Sequence, residues 1–137
     1  MTNYIKVAGL FPPPDYAHAA IVEVGDRLVF TAGAVPLDAA GELVGPNDVI
    51  AQTKQVLVNL HAALRAAGSD LENVVNTTVY VVSNDPKDLS DVWSIVRQSG
   101  LRIKPHTSTL LGVAVLGYTG QLVEITAVAV VKPAKTT

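Results

Sequence analysis

The chain has 137 residues, of which 49% are hydrophobic, 16% charged and 5% aromatic, and its formal net charge is −2. That length suits one domain over residues 1–137, and a charged fraction so far below the ordinary value of about 25% leaves more aliphatic surface than the core hides, which points to self-association. The ten Lys and Arg never stand side by side, which argues against a nucleic-acid partner, and the absence of cysteine excludes disulfides, thiolate nucleophiles and Cys-type zinc sites.

The start of the chain, up to Asp15, holds no apolar segment of signal length. The most apolar stretch, Leu110–Val131, is broken by Gly117, Tyr118, Thr119, Gly120, Gln121 and Glu124, too often for a bilayer span. The expectation is a soluble, cytoplasmic protein with no membrane partner. His18, His61 and His106 share no metal-ligand spacing, so neither a metal nor a cofactor is expected.

A short strand is expected near Tyr4–Val7, and Pro12-Pro13-Pro14 forces an extended entry. Ala17–Val24 and Arg27–Gly33 are apolar runs around Gly25-Asp26, which predicts a hairpin. Pro36–Asp48 reads as a loop, with Asn47 or Asp48 capping a helix whose stripe is Ile50, Thr53, Leu57, Leu60 and Leu64, ending at Gly68. Val74–Val82 is β-branched and predicts a strand. Asn84-Asp85-Pro86 predicts a helix start, followed by Leu89, Val92, Trp93 and Val96, with a stop near Gly100. Thr107–Leu116 and Leu122–Val131 predict two last strands around Gly117–Gly120. The order ββ-α-β-α-ββ implies an α+β fold: one mixed sheet with both helices on one face, and a second face left for a partner copy.

Glu124 is the only charge in Leu122–Val131, and alternation puts it on one strand face with Leu122, Thr126 and Val128. A carboxylate there has either a hydrogen-bonding role or a route to solvent. Lys104, His106 and Ser108 share parity on an extended chain, which makes the two bases candidate cations beside Ser108; the plainer reading is an exposed loop before a strand. Ser108 is a polar ligand contact or strand filler, and no partnered base supports it as a nucleophile. Tyr16 is a cleft-lining phenol or surface packing, and His18 a hydrogen-bonding residue. Trp93, the single Trp, packs into the core or narrows a cleft in favour of an apolar ligand.

Four segments together carry a family resemblance. They are Tyr16-Ala17-His18-Ala19; Phe30-Thr31-Ala32-Gly33-Ala34-Val35-Pro36-Leu37-Asp38; the helix Gln52–Gly68 followed by Leu71–Tyr80; and Pro105–Leu116 followed by Val123–Ala129. In this order the chain resembles the Rid (YjgF-like) family of enamine and imine deaminases. The resemblance implies a chorismate-mutase-like fold, a homotrimer whose sheets form a central barrel, and small-molecule clefts between subunits. It implies that Glu124 is the catalytic carboxylate that positions water, and that Tyr16, Ala32, Gly33, Trp93 and Ser108 line the cleft; His106 joins this set by its parity with Ser108, not by the resemblance. Three of these depart from the family pattern. Ala32 stands for a Ser, Trp93 for an Asn, and Ser108, counted back from Leu116, for the Arg that grips the substrate carboxylate. Losing that two-point contact removes about 1.5–3 kcal/mol per charge-assisted bond, on the order of 10²–10⁴ in affinity for an α-imino acid. The expected function is therefore a deaminase or hydrolase of enamine or imine metabolites with altered specificity, the alternative being a non-catalytic homotrimer that binds a small metabolite. An RNA-directed activity, described for some family members, ranks below both because no basic run is present.

Overall fold

Local chemistry sets both helices. The Asp48 carboxylate accepts the Ala51 N–H at 3.0 Å and starts α1 (Val49–Ala66), which buries Val56, Leu57, Leu60 and Leu64. Gly68, at φ +82°, turns the chain back so that Ser69 N–H reaches the Leu64 carbonyl at 2.9 Å. Asp85 caps α2 (Pro86–Val96) through the Lys87 N–H at 3.0 Å, with Pro86 where no amide donor is missed. The computed structural model describes residues 2–133.

Six strands complete it: β1 (Asn3–Ile5), β2 (Ala19–Ile21), β3 (Leu28–Phe30), β4 (Val74–Val82), β5 (Thr107–Val113) and β6 (Val123–Val130). The main sheet runs β3-β6-β4-β5. Strands β4 and β5 are parallel because α2 carries the chain back between them, and the other neighbours are antiparallel.

The expected hairpin between the second and third apolar runs does not form. Gly25-Asp26 does turn, with Asp26 N–H on the Glu23 carbonyl at 3.2 Å, but the flanking strands separate. Strand β2 pairs with β1 in a two-stranded sheet, and β3 pairs with β6. The free edge of β6, long and apolar, takes Leu28–Phe30 and lets Val29 pack against the core, a gain that pairing with β2 does not offer. The single sheet expected is thus two sheets, and β5 ends at Val113 rather than Leu116.

Both helices cover one face of the four-stranded sheet. Val75, Thr77, Val79 and Val81 of β4 and Val123, Ile125, Ala127 and Ala129 of β6 are buried beneath them. The opposite face carries Leu28, Phe30, Thr78, Tyr80, Glu124, Thr126 and Val128, and no helix lies on it; Phe30 is 72% exposed. No helix among the described residues is long and apolar enough to cross a membrane.

Candidate functional site

Ser108 lies on β5, the outer strand, opposite Thr77 of β4. Paired residues share a face, so Ser108 and Leu110 point to the helix side, where α2 presents Trp93. The segment before β2 closes over them because Ala17 N–H donates to the His106 carbonyl at 3.2 Å. Tyr16, Trp93 and Ser108 therefore line one cleft of about 420 Å³, together with Phe11, Pro14 and Leu110. Trp93 does two things there, packing against the core with one side and walling the cleft with the other. Phe11 is held from behind by His18. The His18 Nδ1 accepts the Val7 N–H at 2.8 Å, so the proton sits on Nε2 and is donated to the Phe11 carbonyl at 3.1 Å.

His106 is not on an exposed loop. It is 3% exposed, and its Nε2 lies 2.9 Å from the Thr77 hydroxyl, which lies 2.7 Å from the Ser108 hydroxyl. Thr77 has one hydroxyl proton, so it donates to at most one of these neighbours, and Ser108 is anchored from below whichever way the bond runs. Burial pushes the His106 pKa below its ordinary value, with the Leu101 and Lys104 backbone acting the other way. Burial thus disfavours the charged ring, which makes it a poor substitute for a guanidinium. Lys104 does not share its direction, because His106 N–H reaches back to the Lys104 carbonyl at 2.8 Å and the turn at Pro105 breaks the alternation. Lys104 instead stands by Tyr4 and Asp26 in another depression. No charged residue lines the Ser108 cleft.

Glu124 is elsewhere. It lies on the open face of β6, opposite Tyr80 of β4, while Ser108 points to the helix face. Its Oε1 accepts from Gln121 Nε2 at 3.1 Å. Ala34 bridges to Ile125, with Ala34 N–H on the Ile125 carbonyl at 2.8 Å, and this lays Gly33 directly against the carboxylate. A Cβ on Gly33 would come within 2.8 Å of Glu124 Cγ and overlap the carboxyl group. A side chain at Gly33 would therefore displace Glu124, while its backbone angle is one that any residue adopts. Ala32, next to it, is exposed. The sequence-derived residues therefore form two groups in one chain: Tyr16, Trp93 and Ser108 with buried His106, and Glu124 with Gly33 and Ala32.

Three contributors were missed in the sequence reading. Thr77 is the polar member of a face otherwise made of Val75, Val79 and Val81, a break in pattern visible in the sequence. Gln121, whose side chain bonds both Glu124 and the Val123 carbonyl, and Phe11, brought in by a turn, left no comparable signal.

Two helices on one face of a mixed sheet, with a small-molecule-sized cleft at its parallel edge, define a two-layer α+β protein. The endoribonuclease L-PSP family profile matches residues 11–131. A 2-iminobutanoate/2-iminopropanoate deaminase of Capra hircus is 37% identical, over 88% of this chain and 83% of that protein. A RutC family protein of Pyrococcus abyssi is 38% identical, over 61% of this chain and 65% of that protein. Among solved structures, YyfB of the conserved Rid family from Yersinia pestis, a protein of unknown function, superposes with a TM-score of 0.82 at 34% identity, covering 95% of this chain and 98% of that one. The chain belongs to the endoribonuclease L-PSP family, the Rid or YjgF-like family.

Proposed function

We propose that the protein is a homotrimeric deaminase or hydrolase of enamine or imine metabolites, with its specificity shifted away from α-imino acids. The observation that carries this is the Ser108 cleft: it adjoins aromatic side chains and no charged residue lines it. A site of this kind favours neutral or apolar groups, because a carboxylate entering it finds no cation to offset its desolvation. The named relatives that act on 2-iminobutanoate and 2-iminopropanoate support the reaction class. In it, water adds to the C=N carbon, the C–N bond breaks, ammonia leaves and a carbonyl remains. Glu124 is suited to orient that water, since Gln121 holds its carboxylate by a hydrogen bond.

The two groups of residues meet only if a second copy brings its open face to the Ser108 edge. The uncovered face with Phe30 and Tyr80, together with the open edges of β3 and β5, supports a trimer with the sheets inside as a barrel. The second reading, a non-catalytic trimer that binds a metabolite, draws on the Ser108 hydroxyl being already engaged by Thr77.

Sedimentation equilibrium tests the assembly, and a stable monomer at micromolar concentration would contradict it. Release of keto acid from freshly generated 2-iminopropanoate tests the specificity. Native protein should be slow and Ser108→Arg faster, by up to about 10² if the rest of the cleft is intact. A native rate that the arginine variant does not raise would refute the shifted specificity. A flat zero in both, with an apolar imine also untouched, would favour the binding protein.

A further inference from the structure

The ten basic residues are dispersed along the sequence, yet three converge in space. Lys6 from the end of β1, Arg97 at the end of α2 and Arg102 from the following turn line a cavity of about 580 Å³, together with Gln98, Pro14 and Asp15. Three cations face one carboxylate there. Arg97 stands 3.8 Å from Asp15 Oδ2, outside hydrogen-bond range, and Lys6 and Arg102 have no ion pair among the described residues. A protein of net charge −2 thus gathers three cations around one carboxylate in a single concavity.

This cavity adjoins the Ser108 cleft. Pro14 lines both, Asp15 and Tyr16 are consecutive, and Trp93 and Arg97 lie four residues apart on one face of α2. The two make one trough, aromatic at the Trp93 end and cationic at the Arg97 end. We propose that the trough binds an organic anion with an apolar arm, its carboxylate or phosphate head between Arg97, Arg102 and Lys6 and its arm against Trp93, Tyr16 and Phe11. All these residues come from one chain, so the site stands whether or not the protein hydrolyses imines. It also requires a separation between head and arm of about one helical turn, ~5–6 Å, which short α-imino acids lack.

The test uses the full chain at low salt, titrated calorimetrically with 4-phenylbutyrate, 4-phenylbutanamide and acetate. The aryl acid should bind about tenfold more tightly than the uncharged amide and than acetate, the scale set by a partly solvent-screened two-arginine contact. Arg97→Gln with Arg102→Gln should bring the acid down to the level of the amide and leave the amide unchanged; both side chains are at the surface, so the fold is kept. Asp15→Asn should strengthen acid binding a few fold by removing the competing carboxylate, which a purely structural Asp15 would not do. Raising salt should weaken the acid and spare the amide. Equal affinities for acid and amide, or for phenylbutyrate and acetate, would overturn the proposal, as would an unchanged acid affinity in the double variant. Imine hydrolysis measured on the same samples reports separately on the catalytic reading.

Discussion

Thr77→Val tests the hydrogen-bonded chain beneath the cleft. The substitution keeps shape and removes the hydroxyl that stands 2.9 Å from His106 Nε2 and 2.7 Å from Ser108 Oγ. The two losses are unequal. Ser108 is half-buried and can turn its hydroxyl to water in the cleft, whereas His106 is 3% exposed and its Nε2 is left without a partner. An orphaned buried group costs about 1–3 kcal/mol, so the expected loss is about 2 kcal/mol, nearly all from His106. At about 2.1 cal/mol/K per residue, 137 residues give an unfolding entropy near 0.29 kcal/mol/K, and the midpoint should fall by about 7 °C. Thermal unfolding at pH 7.5 measures it, at one protein concentration because self-association would make the midpoint concentration-dependent. Ser108→Ala, which leaves Thr77 on His106, should shift the midpoint by less than about 2 °C. A Thr77→Val shift equally small would show that His106 does not depend on Thr77, and the anchoring of Ser108 would lose its basis.

Stability should rise with pH through the histidine range. Burial lowers the folded pKa of His106 beneath the ordinary value of about 6.5, so the unfolded chain binds the proton first as pH falls. Its contribution is complete above about 6.5 and is lost as pH falls toward the lower folded pKa; urea midpoints at pH 7.5 and 5.0 should separate less in His106→Gln, and an equal separation would remove His106 as the cause. Gly33→Ala should cost about 1–2 kcal/mol in the native background and much less beside Glu124→Ala, because its methyl collides with that side chain; additive costs in the double-mutant cycle would refute the contact.

Elements fixed by neighbours in the chain were legible in the sequence. Asp48, Asp85 and Gly68 act within a few residues of themselves, and β4 runs over Val74–Val82 as its β-branched run predicts. Strand pairing was not legible in the same way. Gly25-Asp26 turns as read, but the destination of Leu28–Phe30 depends on β6, far away in the chain. Parity succeeded within a strand, grouping Glu124 with Thr126 and Val128, and failed across a turn, where Pro105 separates Lys104 from His106. The burial of His106 depended on Thr77 and so on the β4–β5 register, which no spacing within one segment reveals.

That register also decides what one chain can do alone. Ser108 pairs with Thr77 and shares its buried, helix-side face; Glu124 pairs with Tyr80 and shares the open one. Because alternation is unbroken from Asn76 to Val82 of β4, beyond the irregularity at Val74–Asn76, no side-chain rotation brings the two groups onto one side of the sheet. A small molecule held against Trp93 and Ser108 would have to reach around the β5 edge to meet the Glu124 of its own chain. Chemistry that joins the two therefore needs the open face of another copy at that edge, whereas binding in the trough between Trp93 and Arg97 needs none. Dilution separates these cases: activity that depends on Glu124 should fall as the assembly dissociates, while binding of 4-phenylbutyrate per chain should persist. If both vanish together on dilution, the trough itself is completed by a second copy, and the assignment of its residues to a single chain is wrong.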